Sequence, residues 1–416
     1  RSDDGGKTWE VDFNLMYQLT CGGRIPADRG ELSGESDQFV EVVLTDMQFD
    51  PYNSLTRFAV GEGGAFFTND GVNWNRLLDT GALSGRPTNC YYDWVSDPCQ
   101  RALYVAFAGR SLVKISPLPW GALQAPDPDL WSTNVVVQGH QSKSTPAVAV
   151  FQGMMHMVRN DGQSNALVWT KSADGLNWDP GQTVSGQKSK AGASIAVFKG
   201  LLHMVHLGDS SNHIWWSTND GTGWTTNVQI ANQLSQTTPA LVLFADKLVM
   251  VHTGDSSNEL WISTFDGSSW TENTVIKGQL SKSPVKLAVF ENKIHMVHLG
   301  DSSNNIWWSV FDLMTFSDGT VSTETGWWSN TRIRCQLSQS VPALAVHNGS
   351  LHMVHQGDAS NSMWWSLYDG QEWTPNVTIP NQKSKTTAAL CETPDQSKLV
   401  MLHLGDSSNR IWFSAV

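Results

Sequence analysis

One phrase recurs along this chain, and its spacing constrains the fold more than any other feature. It reads Leu202-His-Met-Val-His-Leu-Gly-Asp-Ser-Ser-Asn212, followed by Ile214-Trp-Trp-Ser217. It returns with small changes at 249–263, 294–309, 351–366 and 401–414, and in a more degenerate form at 155–170. The Asn that closes it falls at 165, 212, 258, 304, 361 and 409, so successive gaps are 47, 46, 46, 57 and 48 residues. A period of this size marks a repeated supersecondary unit that buries its faces only against its neighbours.

Within each period the apolar residues alternate in short runs, broken by Gly, Asn and Asp, with no helical spacing. Around the phrase at 202–217, one strand precedes it at 193–198, two lie within it, and a fourth runs through 225–230. Four short strands per unit describe a β-propeller blade. The long gap of 57 residues places an extended loop at 311–327.

A second motif lies between the third and fourth strands. Arg1–Glu10 reads R-S-D-D-G-G-K-T-W-E, and shorter versions pair Asp70 with Trp74, Asp174 with Trp178 and Asp220 with Trp224. Asp4 and Trp9 take the same places in the first copy. These resemble the Asp-box of sialidases and other propellers, and the expected role is structural: Asp accepts backbone N–H bonds and Trp packs on the neighbouring strand. The last unit stops at Val416 without its box and fourth strand, while the chain begins with those pieces. Six regular and two divergent units therefore predict an all-β propeller of eight four-stranded blades, or seven, closed by strands from both termini. Residues 1–416 read as one domain, with divergent blades and the closing strand in 1–130 and regular repeats in 138–416.

Net charge is −12, and no run of Lys or Arg is present, which argues against nucleic acid as a partner. No apolar run approaches the length that crosses a bilayer, so membrane insertion is not expected. Only 16% of residues are charged while Trp numbers 20, so the surface is polar but largely neutral. The five cysteines fit no zinc spacing. Cys90 and Cys99 could bridge across one hairpin or serve as small apolar residues.

The phrase His-Met-Val-His-x-Gly-Asp-Ser-Ser-Asn-x-Ile-Trp-Trp-Ser resembles the bacterial and fungal β-propeller lectins, above all the fucose-binding family described from Photorhabdus. The resemblance covers 138–416 and implies monosaccharide pockets between neighbouring blades. The segment Phe58-Ala-Val-Gly-Glu-Gly-Gly-Ala-Phe-Phe-Thr-Asn-Asp-Gly71 makes the first part similar to sialidase-type Asp-box propellers. Glycan or glycoprotein partners, several sites acting together, no cofactor, and an extracellular or secreted setting are what a lectin of this kind implies.

The residues point toward sugar as well. A sugar needs a flat aromatic surface under its C–H face and neutral hydrogen-bonding groups around its hydroxyls. Trp215, Trp261, Trp307, Trp364 and Trp412 share one strand register, and Trp216, Trp308 and Trp365 the next, so the two sets face opposite ways. The second register is the expected ligand surface, joined by His206, Asp209 and Asn212, by His298, Asp301 and Asn304, and by His355, Asp358 and Asn361. Gln187, Ser189 and Lys190 of a recurring Gln-x-Ser-Lys phrase are expected across the cleft. The histidines sit on separate repeats, which disfavours a metal. Arg159, Thr253 and Ile262 break the pattern and predict weak sites in their blades. Arg24-Ile-Pro26 superficially resembles a sialidase arginine motif, but no arginine triad or carboxylate pair recurs with it, so binding is preferred over hydrolysis. A protein-binding scaffold is the runner-up.

Overall fold

A computed structural model describes residues 12–19, 44–50, 55–61, 63–68, 71–79, 87–93, 101–108, 112–115, 118, 125–312, 314–315, 321–322, 326–327, 330–368, 370 and 373–416. The chain divides into two compact units, 1–123 and 124–416.

Among the described residues, the first unit holds a short helix, Phe13–Leu19, and two antiparallel sheets. One sheet has four strands, Leu44–Phe49, Arg57–Gly61, Gly64–Thr68 and Asn75–Asp79; the other has three, Pro87–Asp93, Ala102–Phe107 and Leu112–Ile115. Phe58, Val60, Phe67, Tyr92, Leu103 and Val105 form their common core. The buried Asp50 carboxylate accepts from Tyr92 Oη at 2.8 Å and from Arg101 Nη1 at 3.0 Å. Trp74 donates Nε1–H to Asp12 at 3.2 Å, which ties the helix to the last strand of the first sheet. Cys90 is a free thiol, buried and pushed up to about 12 by that burial.

Among the described residues, the second unit contains six four-stranded antiparallel sheets. Their innermost strands are Ala147–Phe151, Ala193–Phe198, Ala240–Phe244, Lys286–Phe290, Ala343–His347 and Ala389–Glu392. Each packs against the next, and the sixth packs against the first, so the six sheets form a closed ring. Met, Val, Leu and Ile on the second strands carry the core between sheets; Met204, Val205, Met250, Val251, Met296 and Val297 are inaccessible to solvent. Buried Phe151, Phe198, Phe244 and Phe290 close the inner strands.

The sixth sheet takes its outer strand from the other end of the unit. Arg410–Ala415 pairs antiparallel with Val135–Gln141, placing Phe413 opposite Val135, Trp412 opposite Val136 and Arg410 opposite Gln141. This overturns the expected eight- or seven-bladed ring closed by strands from both termini. The ring closes on six sheets, and no sheet closes on itself. This closing strand, Val135–Gln141, begins before residue 138, where the regular repeats are expected to start. Periodicity shows that the last repeat lacks a strand, but two segments could supply it, and hydrogen-bond register decides between them. Arg1–Val11, the expected closing piece, lies outside the described residues, as do Asp4, Trp9, Asp70 and Arg24.

Candidate functional site

Each joint between consecutive sheets is built from the outer strand of one sheet and the second and third strands of the next. The fifth residue of every outer strand has positive φ: Gly139, Gly186, Asn232, Gly278, Cys335 and Asn381. Pairing with the third strand shifts register at each of these strands. The chain therefore bulges at one place in every joint, and Gly or Asn is favoured because the left-handed conformation is cheap for them. A Cβ at Gly186 or Gly278 would meet nothing within 4 Å, so the bulge faces open space.

The residue after the bulge locks the joint. Gln187 accepts from Ser217 Oγ at 3.1 Å and donates to the Thr225 carbonyl at 2.9 Å, both on the next sheet. Gln233 does the same with Ser263 and Thr271, and Gln336 with Ser366 and Thr374. Gln279 and Gln382 accept from Ser309 and Ser414. These glutamines are buried, and so is Ser189, whose hydroxyl turns back to the Gly192 carbonyl at 3.3 Å. Gln187 thus holds two sheets together, Ser189 closes its own turn, and both are buried.

The Gly-Asp-Ser-Ser-Asn turns make a second lock at the surface. Asn165 donates to Asp209 at 2.8 Å, and Asn304 donates to Asp358 at 2.6 Å. Asn212 bonds Asp255, Asn258 bonds Asp301, and Asn361 bonds Asp406. The circle is completed by Asn409, which donates to the Gly162 carbonyl at 2.9 Å. Lys190 and Lys282 donate to the Oδ1 atoms of Asn212 and Asn304, which fixes those amides for the next donation. The exposed Asp and Asn residues at each turn are therefore partners of the adjoining turn.

The two tryptophan registers separate cleanly. Trp216 donates Nε1–H to His203 Nδ1 at 3.1 Å, and Trp308 donates to His295 at 3.2 Å. Trp365 and Trp169 do the same to His352 and His156. Trp216 also packs on Phe265 of the following sheet, and Trp308 on Tyr368, with ring centroids 5.0 Å apart in each case. This register is core. Burial holds the accepting histidines His156, His203, His295 and His352 down at about 4, so they stay neutral and keep the lone pair that receives the indole proton.

His206, His298 and His355 have no accessible surface. Their Nδ1–H groups donate to the carbonyls of Leu207, Leu299 and Gln356 at 2.7, 2.8 and 3.0 Å. Asn227, Asn330 and Asn376 meet their Nε2 atoms. The structure places these histidines in the interior, away from the Asp and Asn turns that sequence groups with them.

The other tryptophan register lines clefts. One cleft, with a volume of about 630 Å³, lies between the third and fourth sheets. Lys277–Leu280 of the outer strand form one side; Gly300–Ser303, Trp307, Trp327 and Asn330 form the other. A like cleft of about 580 Å³ lies between the fifth and sixth sheets, with Asn381 and Lys383 facing Asp406, Trp412, Trp131 and Asn134. Trp307 and Trp412 are half-buried. The turn glycine lets the indole approach, since a Cβ at Gly300 would lie 2.8 Å from Trp307 Nε1. Trp215, Trp261 and Trp364 occupy the same place at their joints, held by Gly208, Gly254 and Gly357.

Trp327 is the box tryptophan of its sheet, and Trp131 takes the equivalent place in the sixth, where Ser132 bonds Ala415 as Thr225 bonds Thr218. Trp178, Trp224, Trp270, Trp327 and Trp373 each form an isolated bridge back to the third strand. Asp174 accepts from the backbone N–H groups of Leu176 and Asn177 at 2.9 and 2.8 Å, and Asp220 from that of Thr222 at 2.9 Å. Trp131 has no Asp box before it, so spacing does not reveal it; it precedes Asn134 by three residues, as Trp327 precedes Asn330. Among the described residues, no three His, Cys, Asp or Glu side chains gather as a metal site.

The chain matches no protein-family model and no curated protein sequence. Among solved structures it is similar to the Hadza microbial sialidase Hz136, at 11% identity and a TM-score of 0.50, over 76% of this chain and 73% of that one. It is also similar to a fucoside-bound lectin from Aleuria aurantia, at 11% identity and a TM-score of 0.47, over 67% and 93%. A Trypanosoma rangeli sialidase matches at 12% identity and 0.48, over 66% and 55%. At these identities the likeness is one of fold alone, that of a β-propeller.

Proposed function

We propose that the six-sheet unit is a lectin that holds neutral sugars in the clefts between consecutive sheets. The observation that carries this reading is the cleft at Trp307. A half-buried indole forms one wall, the Gly-Asp-Ser-Ser turn supplies hydroxyls and a carboxylate at the rim, and a bulged strand with open space over Gly278 faces them. Apolar C–H faces of a sugar stack on such a ring while its hydroxyls meet neutral donors and acceptors.

Five joints carry a tryptophan in this register: Trp215, Trp261, Trp307, Trp364 and Trp412. Weak, like sites on one rigid ring act together on a clustered glycan, where linkage raises avidity without new contacts. The same reading implies glycans outside the cell as partners. It assigns no catalytic residue, because the repeated Asp side chains bind the neighbouring turns and stand one to a joint.

The test is calorimetric titration of the intact chain with fucose, galactose, glucose and N-acetylglucosamine, together with binding to an array of multivalent glycans. Saturable binding at more than one site per chain is expected. A folded chain that binds no neutral sugar at millimolar concentration, and no glycan on the array, overturns the reading.

A further inference from the structure

One joint breaks the rules of the other five at several positions at once. It lies between the sixth and first sheets, where Val135–Gln141 faces Met154–Asn160 and Ala166–Ser172. The position of Gln187 is taken by His140, that of His206 by Arg159, that of Asn227 by Gly181, and that of Trp215 by Val168. The aromatic wall is gone, and a guanidinium stands in the interior.

The changes fit one another. A Cβ at Gly181 lies 3.0 Å from Arg159 Nη2 and 2.7 Å from Val168, so an Asn there would collide with the arginine. Arg159 is 7% exposed. Its Nη1 donates to the Gln141 carbonyl and, at 3.3 Å, to the Asn160 carbonyl. Nη2 reaches only His140 Nδ1, at 3.5 Å, and Nε is buried with no partner. Nε is sealed from solvent, so Nη2, held only by the long contact to His140, is the guanidinium nitrogen left for a ligand.

Among the described residues, no carboxylate forms an ion pair with Arg159. A buried charge normally has such a partner, because removing it from water costs several kcal/mol that only a counter-charge offsets. A cavity of about 350 Å³ opens beside it, lined by Val136–Gln141, Arg159, Asp161, Gly162, Gln163 and Arg410. Arg410 is exposed at the mouth. Asp161 is the one acidic group in the lining; its carboxylate accepts from Ser164 Oγ at 3.0 Å and its charge acts on Arg159 from beyond ion-pair distance. The lining carries two cations against one anion, on a chain whose net charge is −12.

We infer that this cleft binds a carboxylate, presented by an acidic sugar, with the Arg159 guanidinium as the anchor through Nη2 and Arg410 as the guiding charge at the mouth. The unit then carries two kinds of site: aromatic clefts for neutral rings and one cationic cleft for an acidic one. The sugar part rests on the lectin reading; the carboxylate part stands on the buried guanidinium, which has no carboxylate at ion-pair distance among the described residues.

The experiment titrates the intact chain with glucuronate, glucose and acetate at low and high salt. Glucuronate is expected to occupy one site per chain that glucose does not compete for, to weaken several-fold when salt is raised from about 0.05 to about 0.5 M, and to bind at least tenfold more tightly than acetate. Two variants read the anchor. Arg159→His combined with Gly181→Asn installs the pair that folds at His206 and Asn227, and is expected to reduce glucuronate binding at least tenfold. Arg410→Ser, at an exposed position, is expected to reduce it about threefold, in line with a rim charge worth under 1 kcal/mol.

Glucuronate binding no better than glucose, or unchanged in the folded double variant, overturns the proposal. Acetate binding as tight as glucuronate overturns the sugar assignment. Glucose failing everywhere while glucuronate binds through Arg159 defeats only the neutral-sugar reading, and the converse defeats only this one.

Discussion

Replacing Trp307 and Trp308 by alanine, one at a time, should give opposite phenotypes. Trp308 donates to His295 at 3.2 Å and packs against Tyr368 at 5.0 Å and Trp373 at 6.3 Å. Trp308→Ala removes that packing and leaves a buried imidazole acceptor unpaired. Large aromatic truncations in a core cost about 3–5 kcal/mol, and Trp308, being half-buried, belongs near the lower figure. For a unit of this size, about 3 kcal/mol lowers Tm by about 6–10 °C.

Trp307 is half-buried too, but it faces the cleft and lies on the turn at Gly300. Its loss removes the stacking surface, worth about 1–1.5 kcal/mol, or roughly tenfold in affinity. A weak site then drops out of the titration. The assay pairs thermal melting with calorimetric counting of neutral-sugar sites. Trp307→Ala should lose one site with a small change in Tm, and Trp307→Phe should recover part of it. Trp308→Ala should melt early. A Trp308→Ala protein with unmoved Tm and a missing site, beside a Trp307→Ala protein that counts as wild type, would refute the assignment of the two faces.

Acid should destabilise the ring. His156, His203, His295, His352, His355 and His403 are held near 4 by burial. Against an unfolded value of about 6.5, their stability is fully present above pH 6.5 and is lost as pH falls toward 4, on the order of 1 kcal/mol per group by pH 5.5. Urea midpoints followed by tryptophan fluorescence should therefore fall steeply between pH 7 and 5, and a flat profile would count against the buried neutral histidines. Gln336→Leu should cost about 2–4 kcal/mol by orphaning Ser366 and Thr374, and Ser366→Ala in the same chain should recover part of that loss; strict additivity in the double-mutant cycle would deny the bond. Deleting residues 125–141 should leave the edge of Arg410–Ala415 unpaired and drive the protein to associate, read by light scattering; a monodisperse monomer would contradict closure by that strand.

Much of the ring is legible in the sequence because a β-sheet repeat writes its faces as alternation. The strands at 193–198 and 202–207, the hairpin turns and the box tryptophans can all be read from the order of apolar and polar residues. Alternation also tells that Trp215 and Trp216 point apart, but it cannot say which side is cleft. That choice depends on the neighbouring sheet: Phe265 and Tyr368 cover the second register, while a bulge opens space beside the first. The bulge had a signal of its own, Gly, Gly, Asn, Gly, Cys and Asn at 139, 186, 232, 278, 335 and 381. The histidines looked available because His suits both a ligand and a core, and only the carbonyl at the next residue settles the matter. The helix Phe13–Leu19 carries no apolar period long enough to announce it. His140 is hidden because the shortened phrase Gln141-Ser142-Lys143 sets its Gln one residue past the place that Gln187 fills.

The closing strand also decides how each cleft is inherited. Because the break in the ring falls inside the sixth sheet, every joint, including the last, is spanned by an unbroken chain from outer strand to inner strand. The cleft at Trp307 is consequently encoded by one continuous stretch, from Lys277 to Asn330. Copying one repeat copies a whole binding place, and changing one leaves the others alone. The two joints beside the break differ: Trp412 needs residues 128–134, and Arg159 needs Arg410. Those two sites exist only when both ends of the unit are present, so they report on its completeness in a way the other joints do not.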